Sequence, residues 1–249
     1  MPNIPTARVI NLANSPHRLA SIGARLEAAG IAWQRHPAIA PASLEAALGH
    51  PLYRGARMRA LFGRDMSRGE IGCFLSHVAA MKAALADHAP LALILEDDAT
   101  PIDEAKPALA ALSDWLTQKP EPAVDWLHLS RSLGKWGRPF ASVGGHRVRR
   151  AYRPPLIASA NLWTRKGMRD FLAHVGRQGM DRPVDDAMRA CFCRSGRAAV
   201  LETPIFGEDG SISTIDPNNA RTAGLNKMTR MRRKMPDYFW ASVNLLKGA

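Results

Sequence analysis

Glu96, Asp97 and Asp98 follow directly on the apolar run Leu91-Ala92-Leu93-Ile94-Leu95. Five consecutive apolar residues suit a strand buried on both faces of a sheet, so the acids emerge at its C-terminal end, where open α/β sheets bind ligands. Adjacent carboxylates repel by roughly a kcal/mol or more per close pair at intermediate dielectric, a cost that a cation removes. A hard divalent metal carrying a phosphorylated substrate is the simplest such cation, and a solvated acidic loop without ligand is the plainer alternative.

Three further positions carry chemistry. Ser67-Arg68-Gly69-Glu70 has the spacing of a capping box, and the residues after it predict an amphipathic helix to about His88. On that helix Glu70, Cys73, Phe74, His77 and Met81 share one face. Glu70 is therefore either a cap or a ligand, and His77 either a structural histidine or a group aimed at the acidic strand end. Asp185 and Asp186 open a later helix after Pro183. They either stabilise that helix N-terminus or place a general base near the first acidic cluster. Glycine-rich phosphate loops, a zinc deaminase signature and a Gly-x-Ser-x-Gly nucleophile turn are missing, so the chemistry rests on carboxylates, a metal and cationic side chains.

The elements that must hold these groups read as alternating strands and helices. Arg8 to Leu12 predicts a strand, Ser15-Pro16 to Ala29 a helix stopped by Gly30, and Ile31 to Pro37 a second strand. Residues 40–64 predict an irregular insertion with short helical pieces. Helices are expected over 103–119, 166–175 and 184–194, and strands over 125–129, 156–163 and 198–201, with loops and a hairpin in 131–153. Everything to about residue 220 reads as one α/β domain, with 221–249 as a basic, aromatic C-terminal segment.

The chain has 249 residues and a net charge of +12, which favours anionic partners. From Arg221 onward seven basic residues face one acid, Asp237, beside Tyr238-Phe239-Trp240. That combination suits a membrane surface, a nucleic acid, or a helix docked on the protein's own core. No apolar stretch approaches the roughly 18 residues needed to span a bilayer, and the N-terminus lacks a signal-peptide plan, so a cytoplasmic protein is expected. Cys73, Cys191 and Cys193 are too few for a disulfide framework and are expected as thiols rather than a zinc site.

Taken in order, several segments resemble glycosyltransferase family 25, the lipopolysaccharide and lipooligosaccharide sugar transferases related to collagen galactosyltransferases. They are Val9-Ile10-Asn11-Leu12 with Arg18, Met66 to His77, Ile94 to Asp98, Asp125 to Leu129 and Pro183-Val184-Asp185. A looser match runs from Thr203 to Glu208 and on to Ser213-Thr214-Ile215. The resemblance implies a GT-A-like domain with a mixed, mostly parallel central sheet flanked by helices. It also implies inverting transfer of a hexose, often galactose, from a UDP-sugar to a glycolipid or lipooligosaccharide acceptor.

On that reading Asp98 and Glu96 hold a divalent cation, Mn2+ or Mg2+. Asn11, Arg18, Glu70, His77 and Asp97 lie on the donor side, and Asp185 is the base, with Asp186 its nearest rival. Glu208, Asp209 or water would complete the metal's coordination. Asn161 stands where a tyrosine is expected in this family. The protein would then be cytoplasmic and peripheral on an anionic membrane through its C-terminal segment, with nucleic acid not expected as a partner. The competing readings are a metal-dependent phosphoesterase or nucleotidyltransferase and a non-catalytic binder of anionic surfaces.

Overall fold

The computed structural model describes residues 4–118, 124–133, 136–210 and 227–247. The chain opens with β1 (Ala7–Asn11), α1 (Pro16–Ala28) and β2 (Trp33–Pro37), then two short helices, α2 (Leu44–Leu48) and α3 (Gly55–Phe62). α4 (Arg68–Ala86) leads into β3 (Leu91–Glu96), β4 (Ala99–Pro101), α5 (Ala105–Thr117) and β5 (Trp126–His128). A hairpin, β6 (Gly137–Val143) and β7 (His146–Ala151), precedes β8 (Ala160–Thr164), α6 (Arg165–Gln178) and α7 (Val184–Ser195). β9 (Ala198–Leu201), β10 (Phe206–Glu208) and α8 (Lys227–Lys247) end it.

Eight strands form one sheet in the order β2-β1-β3-β8-β5-β9-β7-β6, and β10 pairs with β4 in a separate two-stranded ribbon. The sheet is mixed, as expected. Its parallel ladders are β1 with β2, β1 with β3 and β5 with β9, and the other four described ladders are antiparallel. The parallel share is thus three of seven rather than most of the sheet.

Strand periodicity divides the core into two layers. In β3, Ala92 and Ile94 pack with α4 residues such as Ile71, Phe74 and Met81, whereas Leu91, Leu93 and Leu95 pack with Ile22 and Leu26 of α1 and with Leu109 and Leu112 of α5. β8 repeats the pattern, with Trp163 on the first side and Leu162 on the second. On the first side Trp126 and Trp163 stack with centroids 5.3 Å apart, and Trp126 Nε1–H donates to Asn161 Oδ1 at 2.7 Å. Asn161 Nδ2 donates in turn to the Ala158 carbonyl. Asn161, singled out in the sequence as a departure from the family, is therefore a fully buried partner of the core tryptophan rather than a cleft residue.

The C-terminal segment settles on the domain. α8 packs against α7 and α3, burying Asp237, Ala241 and Asn244, and Asn244 Nδ2 donates to the Cys193 carbonyl at 2.7 Å. The docked-helix reading of the segment is the one realised over 227–247; Ser213 to Ile215 and Arg221 lie outside the described residues. The ribbon of β4 and β10 escaped sequence reading because each strand is three residues long and Ala99-Thr100-Pro101 carries no alternation.

Asn161→Leu is expected to lower stability by about 1–3 kcal/mol, because it strands the buried Trp126 N–H without an acceptor. Urea denaturation measures this, and an unchanged midpoint would show that the pair is dispensable.

Candidate active site

The site follows from strand order. β2 lies on one side of β1 and β3 on the other. α1 leaves β1 on one face of the sheet, and α4 enters β3 on the opposite face. Connections that diverge in this way open a crevice at the C-terminal ends of the two strands. A cleft of about 230 Å³ lies there, bounded by Ile10 near the end of β1 and Leu12 just beyond it, residues 38–41, the first turns of α4, Arg18, and Glu96, Asp97 and Asp98. A cavity of about the same 230 Å³ opens near the other end of these strands, around Thr6, Arg8, Asp87 and Leu91. Its carboxylate, Asp87, is already ion-paired with Arg8, so we take the C-terminal cleft as the site.

The three acids do not crowd into one space. Glu96 keeps the parity of Ala92 and Ile94 and faces α4, where His77 Nε2–H donates to its Oε1 at 3.0 Å and Cys73 Sγ lies 3.6 Å from the same oxygen. Asp97 takes the other face. Asn11 Nδ2 donates to its Oδ2 and Arg18 Nε to its Oδ1, both at 2.7 Å. Asp98 occupies the turn between them, with Arg18 at 3.4 Å and the Asp209 N–H donating to its carbonyl at 3.0 Å. Its Oδ1 is buried and has no hydrogen-bond partner among the described residues. Burial and then the charge of Glu96 push the Asp98 carboxyl up to about 7, with Asp97 and Glu208 adding to the rise and Arg18 opposing it.

α4 explains why its block of residues is so closely specified. Ser67 and Glu70 form the capping box reciprocally, Ser67 N–H donating to Glu70 at 2.8 Å and Glu70 N–H to Ser67 Oγ at 3.1 Å. Arg64 binds the Glu70 carboxylate with both terminal nitrogens, at 2.6 and 2.7 Å. Of the two readings of Glu70, the structure realises the cap; the side chain lies outside the cleft lining. Gly72 lets residues 38–41 approach, since a Cβ there would sit 2.6 Å from the Ile39 carbonyl oxygen. Ser76 Oγ then accepts the Ile39 N–H at 2.8 Å and fixes that wall of the cleft.

Cys73, His77 and Glu96 are the one group of three ligand-type side chains, among the described residues, whose ligand atoms lie within 4.8 Å of one another. His77 is fully buried and its Nδ1 has no partner. If Nε2 bound a metal, the proton would move to Nδ1 and find no acceptor; with Nε2–H on Glu96, Nδ1 is merely an unused acceptor. The group therefore reads as a clamp on Glu96, with His77 aimed at the acidic strand end, one of its two sequence readings.

Asp185 and Asp186 are not brought into the cleft. Both are buried in the first turn of α7, with Asp186 N–H donating to Asp185 Oδ1 at 2.9 Å. Burial, then Asp185, pushes the Asp186 carboxyl up to about 6, against Arg233, Arg189 and Arg182. Their place in the first turn of α7 fits the helix-terminus reading, and neither lines the cleft. β10 places Glu208, one of several completions named in sequence, outside the cleft lining but close enough for its charge to act on Asp98. It pairs with Ala99 across the ribbon, binds Arg131 at 3.3 Å and accepts from Ser159 at 3.4 Å. His128 organises this side: Nε2–H donates to the Ile157 carbonyl, while Nδ1 accepts from the Ser130 and Arg131 amides. Burial, with the charges of Arg131 and Arg189, lowers its pKa to about 4 against the opposing Ile157 hydrogen bond and holds it neutral.

The family model described as glycosyltransferase family 25 (LPS biosynthesis protein) matches residues 5–128, the span that contains the cleft residues from Ile10 to Asp98. The chain belongs to glycosyltransferase family 25. This family 25 protein is accordingly a glycosyltransferase, which sets aside the phosphoesterase and non-catalytic readings. A solved structure described as a glycosyltransferase involved in the glycosylation of the major capsid of PBCV-1 is similar at 8% identity, covering 96% of this chain and 100% of that one. Its TM-score of 0.37 is too low for residue-level comparison. No curated protein sequence matches the chain.

A carboxyl with a folded pKa near 7, against about 3.9 unfolded, keeps a proton that the unfolded chain has lost. Its contribution to stability is therefore present at low pH and is lost as pH rises toward 7. In metal-free buffer the melting temperature should fall between pH 5 and 8, and by less in Asp98→Asn. Asp186 contributes a fall of the same sign in both proteins, so the difference between them isolates Asp98. Equal falls would remove Asp98 as the strained group.

Proposed function

We propose that this glycosyltransferase moves a hexose, galactose by its family resemblance, from a UDP-sugar to a glycolipid or lipooligosaccharide acceptor with inversion and the help of a divalent cation. The observation that carries the reading is Asp98. It lines the cleft with a buried, unpartnered oxygen and a pKa raised to about 7 by burial and the adjacent acids. A carboxylate in that state gains from a cation, and hard oxygen donors suit Mn2+ or Mg2+.

Asp98 and Glu96 would hold the metal, with Glu208 near enough to raise Asp98's pKa and so the residue to complete the set. When bound, the cation offsets negative charge on the departing diphosphate. The chain's own residues do the rest. Asn11 and Arg18 fix Asp97, which holds the turn that presents Asp98. Arg18 keeps a cation beside the place where a diphosphate would lie. His77 and Cys73 hold Glu96 toward the cleft, as outer partners commonly hold a ligating carboxylate. Asp185 is left out of the catalytic group.

Asp98→Asn should lower kcat/KM for a UDP-hexose with Mn2+ by about 10²-fold or more, with the fold intact by circular dichroism. It should also abolish the Mn2+-dependent rise in melting temperature on adding UDP. Full activity in this variant would overturn the metal assignment. Asp185→Asn should instead lower stability while the folded fraction turns over at close to the wild-type rate. A stable but inactive Asp185→Asn protein would restore that residue as the base.

A further inference from the structure

α8 is amphipathic on two sides, and only one of them is used by the domain. Its inner face carries Asp237, Ala241 and Asn244 against α7, with Arg233 over the Phe62 ring of α3 at 4.3 Å. The outer face carries Met228, Met231, Met235, Phe239 and Leu246, which are 60%, 61%, 59%, 60% and 87% exposed. At 100° per residue these five fall within an arc of about 80° and run for about 27 Å, opposite the docked residues. Large apolar side chains aligned in this way mark an interaction surface.

We propose that this outer face of α8 lies on an anionic lipid bilayer. Charge selects the occupant. Residues 227–247 contain six basic side chains and one acid, and that acid, Asp237, is turned inward at 7% exposure. The water-facing side therefore presents apolar residues with cations such as the exposed Arg232 and no carboxylate. That composition matches a helix lying in the plane of a negatively charged interface, with methionine and phenylalanine at the acyl boundary and cations among the headgroups. A nucleic acid would leave the apolar stripe in water. A second copy would set two strongly basic helices against each other. Among the described residues no helix is long and apolar enough to cross a membrane, so the contact is lateral. The surface stands on α8 alone and is independent of the donor chemistry, although a glycolipid acceptor would be presented at the same interface.

The test is sedimentation of the full chain with vesicles of phosphatidylcholine alone or of equimolar phosphatidylcholine and phosphatidylglycerol. Binding should be confined to the mixed vesicles, weaken with salt, and drop by about tenfold or more in Met231→Ser/Phe239→Ser. Both side chains are exposed, so the melting temperature and UDP-dependent stabilisation of that variant should match wild type. Failure of the wild type to bind mixed vesicles, or equal binding by the variant, would overturn the proposal. So would a wild-type dimer in sedimentation velocity that the double variant converts to monomer, since a second copy would then cover the stripe.

Discussion

Three consecutive carboxylates at the end of a buried strand cannot share one environment without a large electrostatic cost, and the site is organised around removing that cost. Backbone parity does the first part, sending Glu96 toward α4 and Asp97 toward α1. Each is then met by donors already fixed in place: His77 on one face, Asn11 and Arg18 on the other. Of the three, Asp98 alone keeps a buried oxygen without a partner, and burial first, then the charge of Glu96, raises its pKa. A cation bound there would need to answer one strained carboxylate and its neighbour, not three.

This division assigns separate tasks to the two helices flanking the crevice. α1 supplies a cation through Arg18, and Asn11 at the end of β1 ties Asp97 to the Ser15 carbonyl at the start of the same helix. α4 supplies the side-chain donors Cys73 and His77, together with a wall through Gly72 and Ser76.

How much of this was legible in the sequence depended on whether a role is local. The capping box of Ser67 and Glu70 is a contact three residues apart, and the buried β3 is a contiguous run, so both could be read directly. The contact of Cys73 with Glu96 depends on where β3 ends relative to α4, and Asn161's role on a tryptophan 35 residues away. Nothing in their spacing encodes those distances. Asp185 shows a different limit: an acid beside a helix start fits a base or a helix terminus equally well, and spacing does not say how far it lies from the cleft. Glu208 enters through a three-residue ribbon with no periodic signal, yet it faces Ala99 across the ladder and so stands beside Asp98.

The sheet's change of direction gives Glu208 its position. β3 pairs in parallel with β1 on one side and antiparallel with β8 on the other. The loop leading into β8 therefore approaches the acidic end of β3, which brings Ser159 beside it; the Glu96 N–H donates to the Ser159 carbonyl at 2.8 Å. Ser159 joins Ser130 at 2.7 Å and donates to Glu208, while His128 holds the Ser130 and Arg131 amides. A neutral buried histidine on β5 thereby fixes a loop whose arginine and serine position a carboxylate next to Asp98. Because His128 has its pKa lowered to about 4, that support keeps its hydrogen-bond pattern across the pH range in which Asp98 itself gains and loses a proton. The rigid side of the site is insulated from the titration of the reactive side, as a preorganised electrostatic site requires.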